Sequence, residues 1–237
     1  MNNRQRIKVS KDGPYLVSGS LPLEQEIIIA NKADVPVKWE KGKKYPDKQN
    51  YALCRCGASK NKPFCDGTHN ALKFDGAETA KQKTYQEMAK TTRGPELDLS
   101  DAESLCAVAC FCHRAGDAWN LTENSNDPVK KALAIEEACD CPSGRLVAWE
   151  KTAGTPIEPK LEPSVSIVEI PYAEVSGPIW VKGGIPIEAA DGYQYEVRNR
   201  ATLCRCGRSS NKPFCDGTHV NIKFNDGDVS QPKEVTS

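Results

Sequence analysis

Residues 54–69 read CRCGASKNKPFCDGTH, and residues 204–219 read CRCGRSSNKPFCDGTH; the two stretches agree at fourteen of sixteen positions. Each sets three cysteines and a histidine in the order C-x-C-x8-C-x3-H: Cys54, Cys56, Cys65 and His69 in the first, Cys204, Cys206, Cys215 and His219 in the second. Thiolate and imidazole are the side chains that hold soft and borderline transition metals best. One intervening residue in an extended chain throws the sulfurs of Cys54 and Cys56 to the same side. Asp66 is an expected N-cap for a short helix, on whose first turn Cys65 and His69 share a face. Gly57 and Gly67 let the backbone pass close to a bulky inorganic centre. Spacing alone leaves two readings open. A structural zinc accepts Cys3His but spaces its paired ligands by two to four residues. A two-iron cluster is wider than one ion and splits its ligands between the irons, which suits this spacing better.

Composition bounds the rest. The chain has 237 residues, 38% hydrophobic and 7% aromatic, with 33 Gly and Pro between them, so loops are plentiful and each core is modest. Small units of this kind usually need a metal or a disulfide to stay folded. Basic and acidic residues balance at 32 each, so no net field recruits nucleic acid. No apolar run approaches a membrane span, and MNNRQRIKVSKDG lacks a signal-peptide core. A soluble, cytoplasmic protein is the expectation, and its eleven cysteines are then metal ligands rather than disulfides.

The repeat extends beyond the ligands. GPYLVSGSLPLEQE from Gly13 and GPIWVKGGIPIEAA from Gly177 each read as strand, Gly-containing turn, strand. Both copies end in an apolar pair, Leu72/Phe74 and Ile222/Phe224. Repeat units are expected at 7–75 and 165–225, the first carrying about fourteen extra residues near KWEKGKKYPDKQ as a surface insertion. Polar linkers are expected at 76–98 and 151–164, and a disordered tail at 226–237. Between them, 99–150 carries other cysteines. A helix is expected from Ser100, with Glu103 as its capping-box partner. Another follows Asp127–Pro128, with Ala132, Leu133 and Ile135 on its apolar side. Trp39, Trp119, Trp149 and Trp180 are expected as core anchors rather than relays. Lys60, Lys62 and Lys212 read as ordinary solvated charges or as a docking face.

Both motifs resemble the CDGSH motif of the NEET iron–sulfur family, C-x-C-x2-(S/T)-x3-P-x-C-D-G-(S/A/T)-H. Ser59, Pro63, Cys65, Asp66, Gly67, Thr68 and His69 fill it in the first copy, and Ser209, Pro213, Cys215, Asp216, Gly217, Thr218 and His219 in the second. The resemblance implies a [2Fe–2S] cluster per motif, with one iron on the first two cysteines and the other on the third cysteine and the histidine. Because single-motif members pair as homodimers, it also implies a monomer in which the two β-rich units form an intramolecular pseudo-dimer. The expected fold is therefore α+β, with a small α/β ferredoxin-like insert.

That insert is expected on a second resemblance. Cys106-x5-Cys112 with a distant Cys141-Pro142 is similar to single-cluster ferredoxins and to their divergent mono-cluster relatives; where the usual pattern has its middle cysteine, this chain has Ala109. The resemblance implies a [3Fe–4S] cluster, or a [4Fe–4S] cluster whose fourth ligand is Cys110, Cys139 or another group. Zinc on the same thiols, or a degenerate site, remains open. His113 reads as a surface residue.

A single histidine ligand makes potential and lability depend on protons, whereas four thiolates hold a cluster more tightly. The expected function is electron transfer, or iron–sulfur cluster storage and transfer. Its partner would be a redox protein or an apo-iron–sulfur acceptor, with no nucleic acid and no membrane anchor. The rivals are an iron–sulfur subunit of an oxidoreductase and a zinc-stapled interaction module. No Walker loop, dinucleotide fingerprint or nucleophile elbow is present.

Overall fold

The computed structural model describes residues 4–229. The first unit consists of β1 (Arg6–Val9), β2 (Tyr15–Ser18), β3 (Leu23–Ala30), β4 (Pro36–Lys44), β5 (Asn50–Leu53) and the one-turn helix α1 (Thr68–Ala71). The central segment follows with α2 (Tyr85–Met88), β6 (Lys90–Arg93), β7 (Leu97–Asp101), α3 (Ala118–Glu123), α4 (Pro128–Asp140), β8 (Leu146–Glu150) and β9 (Thr155–Ile157). The second unit consists of β10 (Ser164–Ile170), β11 (Val175–Lys182), β12 (Ile187–Glu188), β13 (Arg200–Leu203) and α5 (Thr218–Asn221). The fold is α+β, with two β-rich motif units flanking a central segment.

Alternation drives the strands: Ile7 and Val9 in β1, and Tyr15 and Val17 in β2, are buried while Leu16 faces out. The two units are not side-by-side copies. One sheet runs β12-β1-β2-β5 and the other β13-β11-β10-β3-β4. β12 joins β1 in parallel with Ile7 opposite Ile187, and β3 joins β10 in parallel with Leu23 opposite Val165. Each unit therefore lends its third strand to the other's sheet. The shared core mixes Ile7, Tyr15, Val17 and Leu53 with Val165, Ile167, Val181 and Leu203. Neither half could keep this core alone, which is the physical content of the pseudo-dimer.

Several local expectations are corrected. The extra residues of the first unit form the edge strand β4. Its Trp39 ring lies 4.7 Å from that of Trp180 and 4.9 Å from that of Phe111, and its indole N–H donates to the Asp140 carbonyl at 3.2 Å. The stretch 76–98, read as a linker, contains α2 and β6, and β7 begins within it at Leu97. Ser100 opens no helix: it sits in β7 because Leu97 and Leu99 alternate into the central core, and only a short 3₁₀ turn, Glu103–Leu105, follows. The capping box lies earlier, at Thr84 and Glu87. The helix after Asp127 is present, with the Asp127 carboxylate accepting from the amides of Val129 and Lys130. Its fully buried apolar residues are Ala134 and Ala138, with Leu133 and Ile135 packed against the core; Ala132 is exposed. The expected linker 151–164 contributes the edge strand β9. At the tail, Asp226 and Asp228 are fixed by Arg205 and Lys43; residues 230–237 lie outside the described residues. Among the described residues no helix is long and apolar enough to cross a membrane.

Candidate metal centres

Each motif is closed by the same backbone clamp. Cys54 N–H donates to the Pro63 carbonyl at 2.8 Å and Cys65 N–H to Ala52 at 2.9 Å; Cys204 to Pro213 and Cys215 to Thr202 repeat both distances. The Ser59 hydroxyl donates to the Phe64 carbonyl and accepts from Asn61 N–H, and Ser209 does the same with Phe214 and Asn211. The motif serine therefore ties the loop rather than facing the centre. Gly67 and Gly217, at φ 87° and 84°, hold the caps of α1 and α5. Asp66, read as the cap, instead bridges the loop, accepting from Lys60 and Thr68 amides. Lys62 and Lys212 fold back onto the carbonyls of Ser59 and Ser209.

These clamps deliver the ligand atoms in pairs. The sulfurs of Cys54 and Cys56 lie 3.8 Å apart, and those of Cys204 and Cys206 lie 3.9 Å apart. His69 Nδ1 lies 3.4 Å from the Cys65 sulfur, and His219 Nδ1 is at the same distance from Cys215. Among the described residues no three Cys, His, Asp or Glu side chains converge on one ion. Two pairs, each fit for one metal, match a two-metal cluster better than a single tetrahedral ion. Burial pushes the thiols of Cys54 and Cys215 up. Thiols held up in this way would bind a metal as thiolates only with release of their protons. Burial also pulls the His219 imidazole down to about 4, against the neighbouring Asp216 carboxylate. A neutral imidazole has a ring-nitrogen lone pair to offer a metal, and the His219 Nε2 is buried without a hydrogen-bond partner.

The residue between the first two cysteines escaped the sequence reading. Arg55 is buried and donates to the carbonyls of Gly13, Gly76 and Ser10 at 2.7, 2.7 and 2.9 Å, beneath the ring of Phe74. Arg205 is buried likewise beneath Phe224, but pairs with Glu169 at 2.8 Å and with Asp226. The signal was available, since arginine occupies this position in both copies. These guanidinium groups anchor the ligand loops to the turn before each motif and to the chain after it.

The two motifs meet back to back. A Cβ placed on Gly57 would lie 2.5 Å from the Cys206 carbonyl oxygen, and one on Gly207 would lie 2.6 Å from that of Cys56; both glycines have φ 76°. Tyr15 of the first unit donates to the Cys204 carbonyl at 2.9 Å. Gly57→Ala and Gly207→Ala are each expected to cost about 3 kcal/mol, from left-handed backbone strain plus overlap. Urea unfolding of the purified protein measures this, and a cost under about 1 kcal/mol would show that the loops do not abut.

The central cysteines divide. Cys106, Cys110, Cys112 and Cys141 line one small cavity with Pro142 and Arg145. Arg145, held by Asp101 at 2.6 and 2.8 Å, puts a positive charge beside it. Burial first, and then the neighbouring thiols, push Cys112 up to about 12. Cys139 points elsewhere, its sulfur 3.8 Å from the Ile157 carbonyl oxygen. His113 is exposed and lies against Trp119.

Comparison with known families agrees with this geometry. The model of an iron-binding zinc finger of CDGSH type matches residues 12–70 and 176–220, and that of a divergent 4Fe-4S mono-cluster matches residues 92–151. No curated protein matches the chain. Two clamped Cys3His loops and a cysteine-lined cavity fall within those matched regions, so the chain carries two CDGSH-type iron-binding regions flanking a divergent mono-cluster iron–sulfur segment.

Proposed function

We propose that this chain is a multi-centre electron carrier with two [2Fe–2S] sites and one central four-iron site. Cys54, Cys56, Cys65 and His69 hold the first site; Cys204, Cys206, Cys215 and His219 hold the second. Cys106, Cys112 and Cys141 hold the third, with Cys110 as the fourth ligand because it lines the cavity and Cys139 does not. Bound clusters supply reversible one-electron chemistry.

The observation that carries this reading is contiguity. Gly57 and Gly207 bring the two CDGSH loops together, and a Cβ on Gly217 would lie 2.2 Å from Val108 Cγ2 and 3.5 Å from the Cys106 carbonyl, so the central loop rests on the second motif. Three ligand sets packed through their own backbones suit electron passage within one rigid fold. Arg55 and Arg205 keep the loops fixed, which limits reorganisation. The test is to mix dithionite-reduced protein, freed of reductant, with an oxidised one-electron acceptor such as cytochrome c. Reoxidation with full retention of iron is expected. Transfer of iron and sulfide to an apo-ferredoxin, without reduction of the acceptor, would favour cluster delivery instead.

A further inference from the structure

Near-identical motifs sit in unlike surroundings. The second set is fully enclosed: Cys204 is 0%, Cys206 6%, Cys215 3% and His219 1% exposed. In the first set Cys54 is buried, but Cys56, Cys65 and His69 are all partly open to solvent. The cause lies outside the motifs. A Cβ on Gly67 would meet nothing within 4 Å, whereas its counterpart Gly217 is covered by Val108. Val108 holds φ 53° to get there, an unfavourable conformation for a β-branched residue.

Ala109 and Phe111 extend the cover, packing with Val168, Ile170, Trp180 and Val220. Val220 occupies the position of Asn70, which is exposed. The sequence has thus placed an apolar residue only where the central loop lands. A cleft of about 720 Å3 runs between α2, the central segment and the second unit. It reaches the second motif at Ser210, Asn211, Phe214 and Asp216, and none of the four ligands lines it.

We propose that the two CDGSH sites have divided their labour. The first lies open to solvent and meets external partners, and residues 106–111 seal the second as an internal site shielded from chelators. This rests on the reading that both motifs bind [2Fe–2S] clusters. Access to ligands in the second site requires local opening of the central loop, so its iron should leave more slowly than that of the first.

The test uses the full-length protein, purified without oxygen and challenged with excess EDTA while released iron and visible absorbance are followed. A fast phase of about two irons per chain is expected, with the remaining CDGSH iron leaving at least about tenfold more slowly. His69→Cys should abolish the fast phase. Val108→Gly, which suits a positive φ and removes the covering isopropyl group, should bring the slow phase within about threefold of the fast one. Equal rates for both CDGSH sites in the unaltered protein, or a fast phase that survives His69→Cys, would overturn the inference. Protein that carries fewer than about four irons at the outset would instead overturn the reading beneath it.

Discussion

Arg205→Ala is expected to destabilise the protein by about 3–5 kcal/mol near pH 8, the range for breaking a buried ion pair from one side. Of the two carboxylates that pair with Arg205, Glu169 is 0% exposed and the Asp226 side chain is almost fully buried, so neither can turn to water when the guanidinium is removed. Arg55→Ala is expected to cost less, because Arg55 satisfies only neutral carbonyls. The penalty should also depend on pH. Burial already pushes the Glu169 carboxyl above the usual range, despite Arg205. Without the arginine its folded-state pKa rises further, so the folded variant binds a proton that the unfolded chain gives up. Folded stability of the variant is then greatest below the unfolded carboxyl range and is lost as pH rises through the folded value. Arg205→Ala should therefore be closer to the unaltered protein at pH 5 than at pH 8. Urea midpoints at the two pH values measure this, and equal losses for Arg55→Ala and Arg205→Ala at both would contradict it.

Cys110→Ser is expected to remove the central four-iron signal from low-temperature magnetic spectra of the reduced protein, while Cys139→Ser leaves it intact. Cys110 lines the cavity with Cys106, Cys112 and Cys141, and burial with the nearby Cys106 sulfur pushes its thiol up. Cys139 instead packs against the chain beside β9, and its neighbour Arg200 donates to carbonyls at the end of α4. A signal that survives Cys110→Ser but not Cys139→Ser would reverse the assignment. Both variants should retain the two CDGSH sites, and this is checked in the same samples by visible absorption.

The pairing of the motif side chains was legible because it is set locally. Spacing put Cys54 beside Cys56 and Cys65 beside His69, and the pairs observed at 3.8 and 3.4 Å follow from that. Asp127–Pro128 likewise marked α4 from its own residues. The exchange of β3 and β12 between sheets was not legible, since a short alternating strand pairs equally well with either partner and the choice is settled by the whole core. Ser100 misled because a capping-box pattern and a strand edge share Ser and Glu, and the alternation of Leu97 and Leu99 outweighed it. Choosing Cys110 over Cys139 required the left-handed backbone at Val108 and Cys110, which no spacing rule encodes. The unequal exposure of the two motifs was hidden for a similar reason: it arises from a loop about a hundred residues from Gly217 in sequence, and Val220 opposite Asn70 was its only local trace.

The most direct measurement of the central claim is the iron, sulfide and zinc content of protein purified without oxygen, read alongside its visible spectrum. Three clusters on the ligands named here predict a coloured protein with about eight irons and about eight sulfides per chain and no zinc. A colourless, zinc-loaded, iron-free protein would contradict the account.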